Sequence, residues 1–320
     1  WRISSDDSTA VSLLKGMEPY GAEISYAKGA DLITGPAAFL QNVPINETDR
    51  SGFNEAQRLA RRSDVVVMVL GEHGFQSGEG RSRTQLDLPG VQQELLEAVY
   101  EVNKNIVLVL MNGRPLAIPW AAEHIPTILE VWQLGSQSGN AIAQVLFGEY
   151  NPSGKLPMSF PRSVGQVPIG YNKFNTGRAI PQENVFWSTY TDESIDPLFP
   201  FGHGLSYTTF DYSDLSVEVT GKNQVSVKVR VTNSGQLAGE EVTQLYLRDV
   251  AASVARPVKE LKGFEKYSLQ PGTSKVVEFQ LTEKELGFFD GEGNYLVEAG
   301  KFQVMVGTSS IQGLSAEFTL

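Results

Sequence analysis

The sequence predicts an α/β plus all-β chain: a three-layer α/β/α sandwich domain followed by a β-sandwich. Three observations carry that prediction. In the first half, uninterrupted apolar runs such as Val65–Leu70 and Ile106–Met111 alternate with helical patterns, as parallel strands covered on both faces do. Beyond residue 207 the apolar period becomes two, with turn residues between short runs. Between these regions prolines and aromatics are common, and neither period is sustained.

A helical pattern covers Thr9–Met17, and Glu23–Ala27 reads as a short strand. A second helix, Phe53–Arg62, sets Phe53, Ala56 and Ala60 on one face and leads into strand Asp64–Leu70, expected to be buried on both faces. After a glycine-rich loop, Gly71–Gly90, comes a helix with Pro89 in its first turn and Val91, Leu95 and Val99 along one face. Ile106–Met111 and Thr127–Trp132 are further strands, and helix Gly139–Phe147 buries Ile142, Val145 and Leu146. No clear strand precedes the pattern at Thr9, so the domain is expected to lack its first strand. Residues 1–161 form this domain, 162–206 a wrapping connection rich in Pro and aromatics, and 207–320 the sandwich. In the last segment Val225, Val227, Val229 and Val231 alternate with polar residues, and Val277–Leu281 and Phe302–Val306 repeat the pattern. Roughly seven short strands of this kind indicate an immunoglobulin-like antiparallel sandwich.

Composition narrows the function classes. A net charge of −11 and no basic run interleaved with aromatics exclude nucleic acid as a natural partner. No segment approaches the ~18 consecutive apolar residues of a membrane-spanning helix. Without cysteine, disulfides, thiol nucleophiles and thiolate metal sites are excluded. A chain beginning Trp1-Arg2-Ile3 reads as a fragment or a processed product. The sequon at Asn46-Glu47-Thr48 is short enough to arise by chance.

The loop Gly71–Gly90 holds the candidate chemistry. It joins a buried strand to a helix, and so lies at the carboxyl edge of the sheet, where open α/β folds place their sites. Glu79 stands between Gly78 and Gly80. Two readings are open from the residues alone: a charge on a solvated surface loop, or a general acid/base on a glycine-hinged arm. The second needs a carboxyl pKa raised toward working pH, whereas Arg81 and Arg83 are cations that would lower it unless they point elsewhere, for example to Asp87. Glu72, at the strand end, is the competing acid and reads as structural.

His73, His124 and His203 lack metal-ligand spacing, and no phosphate-binding glycine motif or G-x-S-x-G elbow occurs. Met111–Pro115 reads as a tight turn in which Gly113 takes positive φ. Trp187 and Tyr190 could stack on a sugar or pack within the connection.

Four motifs in order and spacing carry a family resemblance. They are Ser77-Gly78-Glu79-Gly80-Arg81-Ser82-Arg83 with Leu86-Asp87-Leu88-Pro89, then Asn112-Gly113-Arg114-Pro115, then Gly148–Pro157, then Pro197–Phe210. Together they resemble the second domain of family 3 glycoside hydrolases of the β-glucosidase type, and the terminal sandwich resembles the fibronectin type III-like domain that ends many members. The resemblance implies a retaining β-glucosidase acting on terminal β-D-glucosyl residues of oligosaccharides, with Glu79 at the acid/base position. It implies an aspartate nucleophile on an N-terminal (β/α)8 barrel, which takes ~250 residues and is not in this chain. It further implies no metal or organic cofactor, a β-linked oligosaccharide substrate in the complete enzyme, a periplasmic or secreted location, and inactivity of this chain by itself. The alternative is a non-catalytic carbohydrate-binding or adhesion module built on the same two folds.

Overall fold

The computed structural model describes residues 7–176, 186, 188 and 190–320. It divides into two compact units, residues 1–150 with 161–167, and residues 151–160 with 168–320.

In the first unit, β1 (Val66–Gly71), β2 (Ile106–Met111) and β3 (Thr127–Glu130) form a parallel sheet in the order β1-β2-β3. Val66 stands opposite Ile106 and Gly71 opposite Met111, while Leu110 stands opposite Glu130. The three strands therefore end side by side. The helices are α1 (Leu13–Met17), α2 (Phe53–Ala60), α3 (Gln92–Val102), α4 (Pro119–His124) and α5 (Ser138–Leu146). One sheet face packs Val109 and Val131 against Ile142 of α5 and Leu13 of α1. Met68, Leu70, Leu108 and Leu110, which alternate with that face, are buried as well, and α3 packs on β1.

Several expectations are corrected. Among the described residues Glu23–Ala27 forms no strand, because a strand exists only through a hydrogen-bonded neighbour and none lies beside it. The sheet buries only β2 on both faces. β1 lies at the edge of this three-stranded sheet, and its Val69 is 44% exposed. The pattern Thr9–Met17 resolves into a 3-10 turn, Asp7–Thr9, and α1. Pro89 precedes α3 rather than opening it. The sequon Asn46 is 1% exposed, and its amide donates to the carbonyls of Asp31 (2.9 Å) and Asp49 (3.0 Å), so it ties a loop together.

The second unit is a sandwich. β4 (Phe210–Gly221), β5 (Gln224–Asn233) and β8 (Ser274–Leu281) form one antiparallel sheet in the order β4-β5-β8. The other, β12-β11-β6-β7, comprises β6 (Gly239–Asp249), β7 (Glu260–Leu269), β11 (Lys301–Gly307) and β12 (Gly313–Thr319). A short helix α6 (Glu283–Leu286) and a hairpin of β9 (Phe288–Phe289) and β10 (Tyr295–Leu296) lie between β8 and β11. The period-two residues Val225, Val227, Val229 and Val231 meet Phe302, Val304 and Val306 in its core. Each fully buried valine of that row contributes about 1.5 kcal/mol or more. Residues 151–160 dock on the same unit. Lys155 Nζ lies 3.3 Å from the buried carboxylate of Glu241 and donates to Gly204 O (2.9 Å), while Asn151 Oδ1 accepts from Ser206 and Tyr207. Tyr171 stacks on Phe201 with ring centres 4.3 Å apart.

Candidate active site

The loop between β1 and α3 is held at three levels. At its stem, buried Gln92 accepts from Gly71 N–H (2.8 Å) and donates to the carbonyls of Gly71 (2.8 Å) and Pro89 (2.9 Å), closing the two ends on each other. Midway, the Glu72 side chain is wholly shielded from solvent. Its Oε1 accepts from Arg83 Nη1 (2.8 Å) and lies 3.0 Å from Arg114 Nε, while Oε2 accepts from Gly113 N–H (3.1 Å). A carboxylate whose two oxygens face two guanidinium groups and a backbone amide is placed to hold the structure together.

Near the tip, Arg114 reaches across from the turn after β2. Its Nη1 donates to Arg81 O (2.8 Å) and its Nη2 donates to Gln76 O. Between these anchored carbonyls, Arg81 N–H donates to Gly78 O (3.2 Å) and closes a turn with Glu79 at its second position. Gly80 follows with φ +68°, the third-position conformation that a type II turn reserves for glycine. Glu79 is exposed, and it makes no hydrogen bond or ion pair among the described residues.

Neither arginine of the loop contacts it. Arg81 donates through Nη1 to Gln41 O (2.9 Å) and through Nη2 to Phe39 O, tying the segment before Asn46 to the loop. Arg83 pairs with Glu72, and it meets Asp87 through that residue's backbone carbonyl (3.2 Å) rather than its carboxylate.

Two features of this edge were not legible as site elements. Gly113 does not take positive φ. It is glycine because a Cβ there would overlap Ser77 Oγ, so the turn after β2 is the seat of the loop tip. The second is Glu130, at the end of β3. Its Oε1 accepts from Trp132 N–H (2.7 Å), stabilising the left-handed backbone of Trp132 (φ +50°), and its Oε2 accepts from Asn112 Nδ2 (3.1 Å). Burial, with a smaller contribution from the negative charge of Glu72, pushes the Glu130 carboxyl up to about 7.

The histidines serve elsewhere. His73 Nδ1 accepts from Phe75 N–H (3.1 Å), His124 stacks on Trp120, and His203, stacked on Phe199, has its pKa lowered by burial and by Lys155. Trp187 lies outside the described residues, and Tyr190 is 44% exposed.

Residues 2–207 match the glycosyl hydrolase family 3 C-terminal domain, and residues 241–310 match the fibronectin type III-like domain. The chain belongs to glycoside hydrolase family 3. Among curated relatives, a periplasmic beta-glucosidase of Salmonella typhimurium is 44% identical over all of this chain and 44% of its own length. A beta-xylosidase of Formosa agariphila is 43% identical over 94% of this chain and 40% of its own length. The fold matches that of a beta-glucosidase from Listeria innocua solved with isofagomine, at a TM-score of 0.88 and 35% identity over 98% of this chain and 43% of that one. The chain thus spans less than half the length of these relatives.

Within the family frame, the motifs that carried the resemblance gain a spatial relation. Ser77–Arg83 and Asn112–Pro115 lie on neighbouring strand ends, and Arg114 bonds one to the other. Sequence reasoning quoted Arg114 as part of a motif without assigning it a task. The available signal was that both motifs follow adjacent apolar strands, which in a parallel sheet end at the same edge.

Proposed function

We propose that this chain is the C-terminal part of a retaining β-glucosidase that hydrolyses terminal β-D-glucosyl residues of oligosaccharides, with Glu79 as its general acid/base. The observation that carries the reading is the isolation of Glu79. It stands exposed at the apex of a glycine-flanked turn on the carboxyl edge of the sheet, while the arginines beside it in sequence are engaged by Glu72 and by backbone carbonyls. A carboxyl group so placed is free to enter a neighbouring site.

In the first step Glu79 protonates the departing glycosidic oxygen as a second carboxylate attacks the anomeric carbon. In the second, Glu79 takes a proton from the water that releases the sugar. Retention requires the two carboxyl groups ~5–5.5 Å apart, so the nucleophile would come from an N-terminal (β/α)8 barrel of the same enzyme. The chemistry implies no metal or cofactor. The name of the Salmonella relative supports a periplasmic or secreted location, and that of the Formosa relative makes a β-xyloside the second candidate substrate.

In the full-length protein, Glu79→Ala should slow alkyl and disaccharide glycosides by about 10²–10⁴-fold, the range for a lost general acid. Activated aryl glycosides should still form the glycosyl-enzyme, and azide should restore turnover as a glycosyl azide of retained configuration. Equal losses on all substrates without azide rescue would remove Glu79 from the chemistry. Running aryl β-glucoside and β-xyloside in parallel decides the sugar.

A further inference from the structure

We infer that Arg114 is the positioning residue of the acid/base arm: one guanidinium group holds both sides of the tip and so sets where Glu79 points. The inference rests on the acid/base reading of Glu79 and adds a residue to it.

Arg114 uses its fork in three directions. Nη2 donates to Gln76 O and Nη1 to Arg81 O, the last carbonyl before the tip and the first after it. Nε lies 3.0 Å from Oε1 of the solvent-shielded Glu72 side chain, so a charge contact backs the fork. Residues 77–80 are the span left between the two anchored carbonyls, and they contain both positive-φ glycines of the loop tip, Gly78 (φ +135°) and Gly80 (φ +68°). Without the clasp those glycines would let the tip sample many directions; with it, the freedom is confined to one tight turn. The turn that carries Arg114 also meets the tip directly, since Ser77 Oγ occupies the space where a Gly113 side chain would lie. Lysine cannot substitute: one ammonium group can neutralise Glu72, but it lacks the planar fork that spans two carbonyls and a carboxylate at once.

Two measurements on Arg114→Lys test the inference. In this chain, amide hydrogen exchange of residues 76–82 should rise about tenfold or more, while that of β2 and α3 stays unchanged. In the full-length protein, kcat on a poor leaving group should fall by about 10–100-fold, the scale of an ångström's misplacement, with KM and activated aryl glycosides little changed. The Arg114→Lys effect should vanish in a Glu79→Ala background, because a residue acting through Glu79 has nothing left to position. An equal loss in both backgrounds, or unchanged exchange at the tip, overturns the inference. If Arg114→Lys does not fold, Arg114→Gln, whose single amide cannot reach both carbonyls, must give the same selective loss, and uniform loss again overturns it. A Glu79→Ala enzyme with uniform, azide-insensitive loss would instead fail the acid/base reading, and the exchange measurement still decides the clasp.

Discussion

At the scale of single residues, the carboxylates at the sheet edge divide by their surroundings. Glu72 is sealed by two arginines, Glu79 is exposed, and Glu130 is half-buried with two neutral donors. Glu130 therefore titrates near neutrality, at about 7 against an ordinary 4.5. Between those values the native state holds a proton that the unfolded chain has released, so stability falls as pH rises through the window. The loss is complete above about pH 7, and the shift corresponds to an effect on the order of 3 kcal/mol. Glu130→Gln keeps an acceptor for Trp132 N–H and removes the titration. Its urea midpoint should match that of the parent near pH 4.5 and exceed it increasingly up to pH 8, whereas a constant offset across the range would contradict a titrating Glu130. None of this was legible in the sequence, where Glu130 is one acidic residue at the end of an apolar run. Glu79 was legible only as a candidate, through its flanking glycines and the motif around it. What stayed hidden were pairings over long sequence separations, above all Glu72 with Arg114.

At the scale of elements, β1 delivers the loop and its last residue makes the delivery possible. Gly71 has φ +142°, and a Cβ there would overlap Met111 O of β2. Its N–H and C=O are the groups that Gln92 binds to close the loop stem. Gly71→Ala should thus cost about 2–4 kcal/mol through backbone strain and displaced β2 contacts, read as a lower denaturant midpoint with increased exchange at the loop stem. The expected strand types were legible where the period is strong, as in β5 and β11, and in the uninterrupted apolar run of β2. The sequence could not report neighbours. Val65–Leu70 is as apolar as Ile106–Met111, yet one strand lies at the sheet edge and the other at its centre. Glu23–Ala27 has strand-forming residues but, among the described residues, no strand to pair with. Pairing is a property of the assembled sheet, so a local pattern carries only half of it.

At the scale of the whole molecule, the question is whether this chain can hydrolyse a glycoside unaided. The proposed retaining mechanism needs a second carboxylate beside Glu79 that is free to attack a sugar. The acidic side chains engaged at the sheet edge are Glu72 and Glu130, and both are committed, while Asp87, towards the end of the loop, is exposed. Glu72 is shielded from solvent and paired to two cations. Glu130 is half-buried and holds the Trp132 and Asn112 side of the edge in place. Neither can leave its partners without stranding buried charges or a strained backbone, a cost of about 3–5 kcal/mol for the ion pairs alone. In the proposed reading the nucleophile comes from a part of the protein beyond this chain, which spans 44% of the length of its Salmonella relative. The purified chain should accordingly show no turnover of 4-nitrophenyl β-D-glucoside above the buffer rate, and Glu79→Ala should leave that result unchanged. Turnover abolished by Glu79→Ala would mean that a carboxylate of this chain serves as nucleophile. Glu72→Gln, Glu130→Gln and Asp87→Asn would then identify it, and the division of the site between two domains would have to be abandoned.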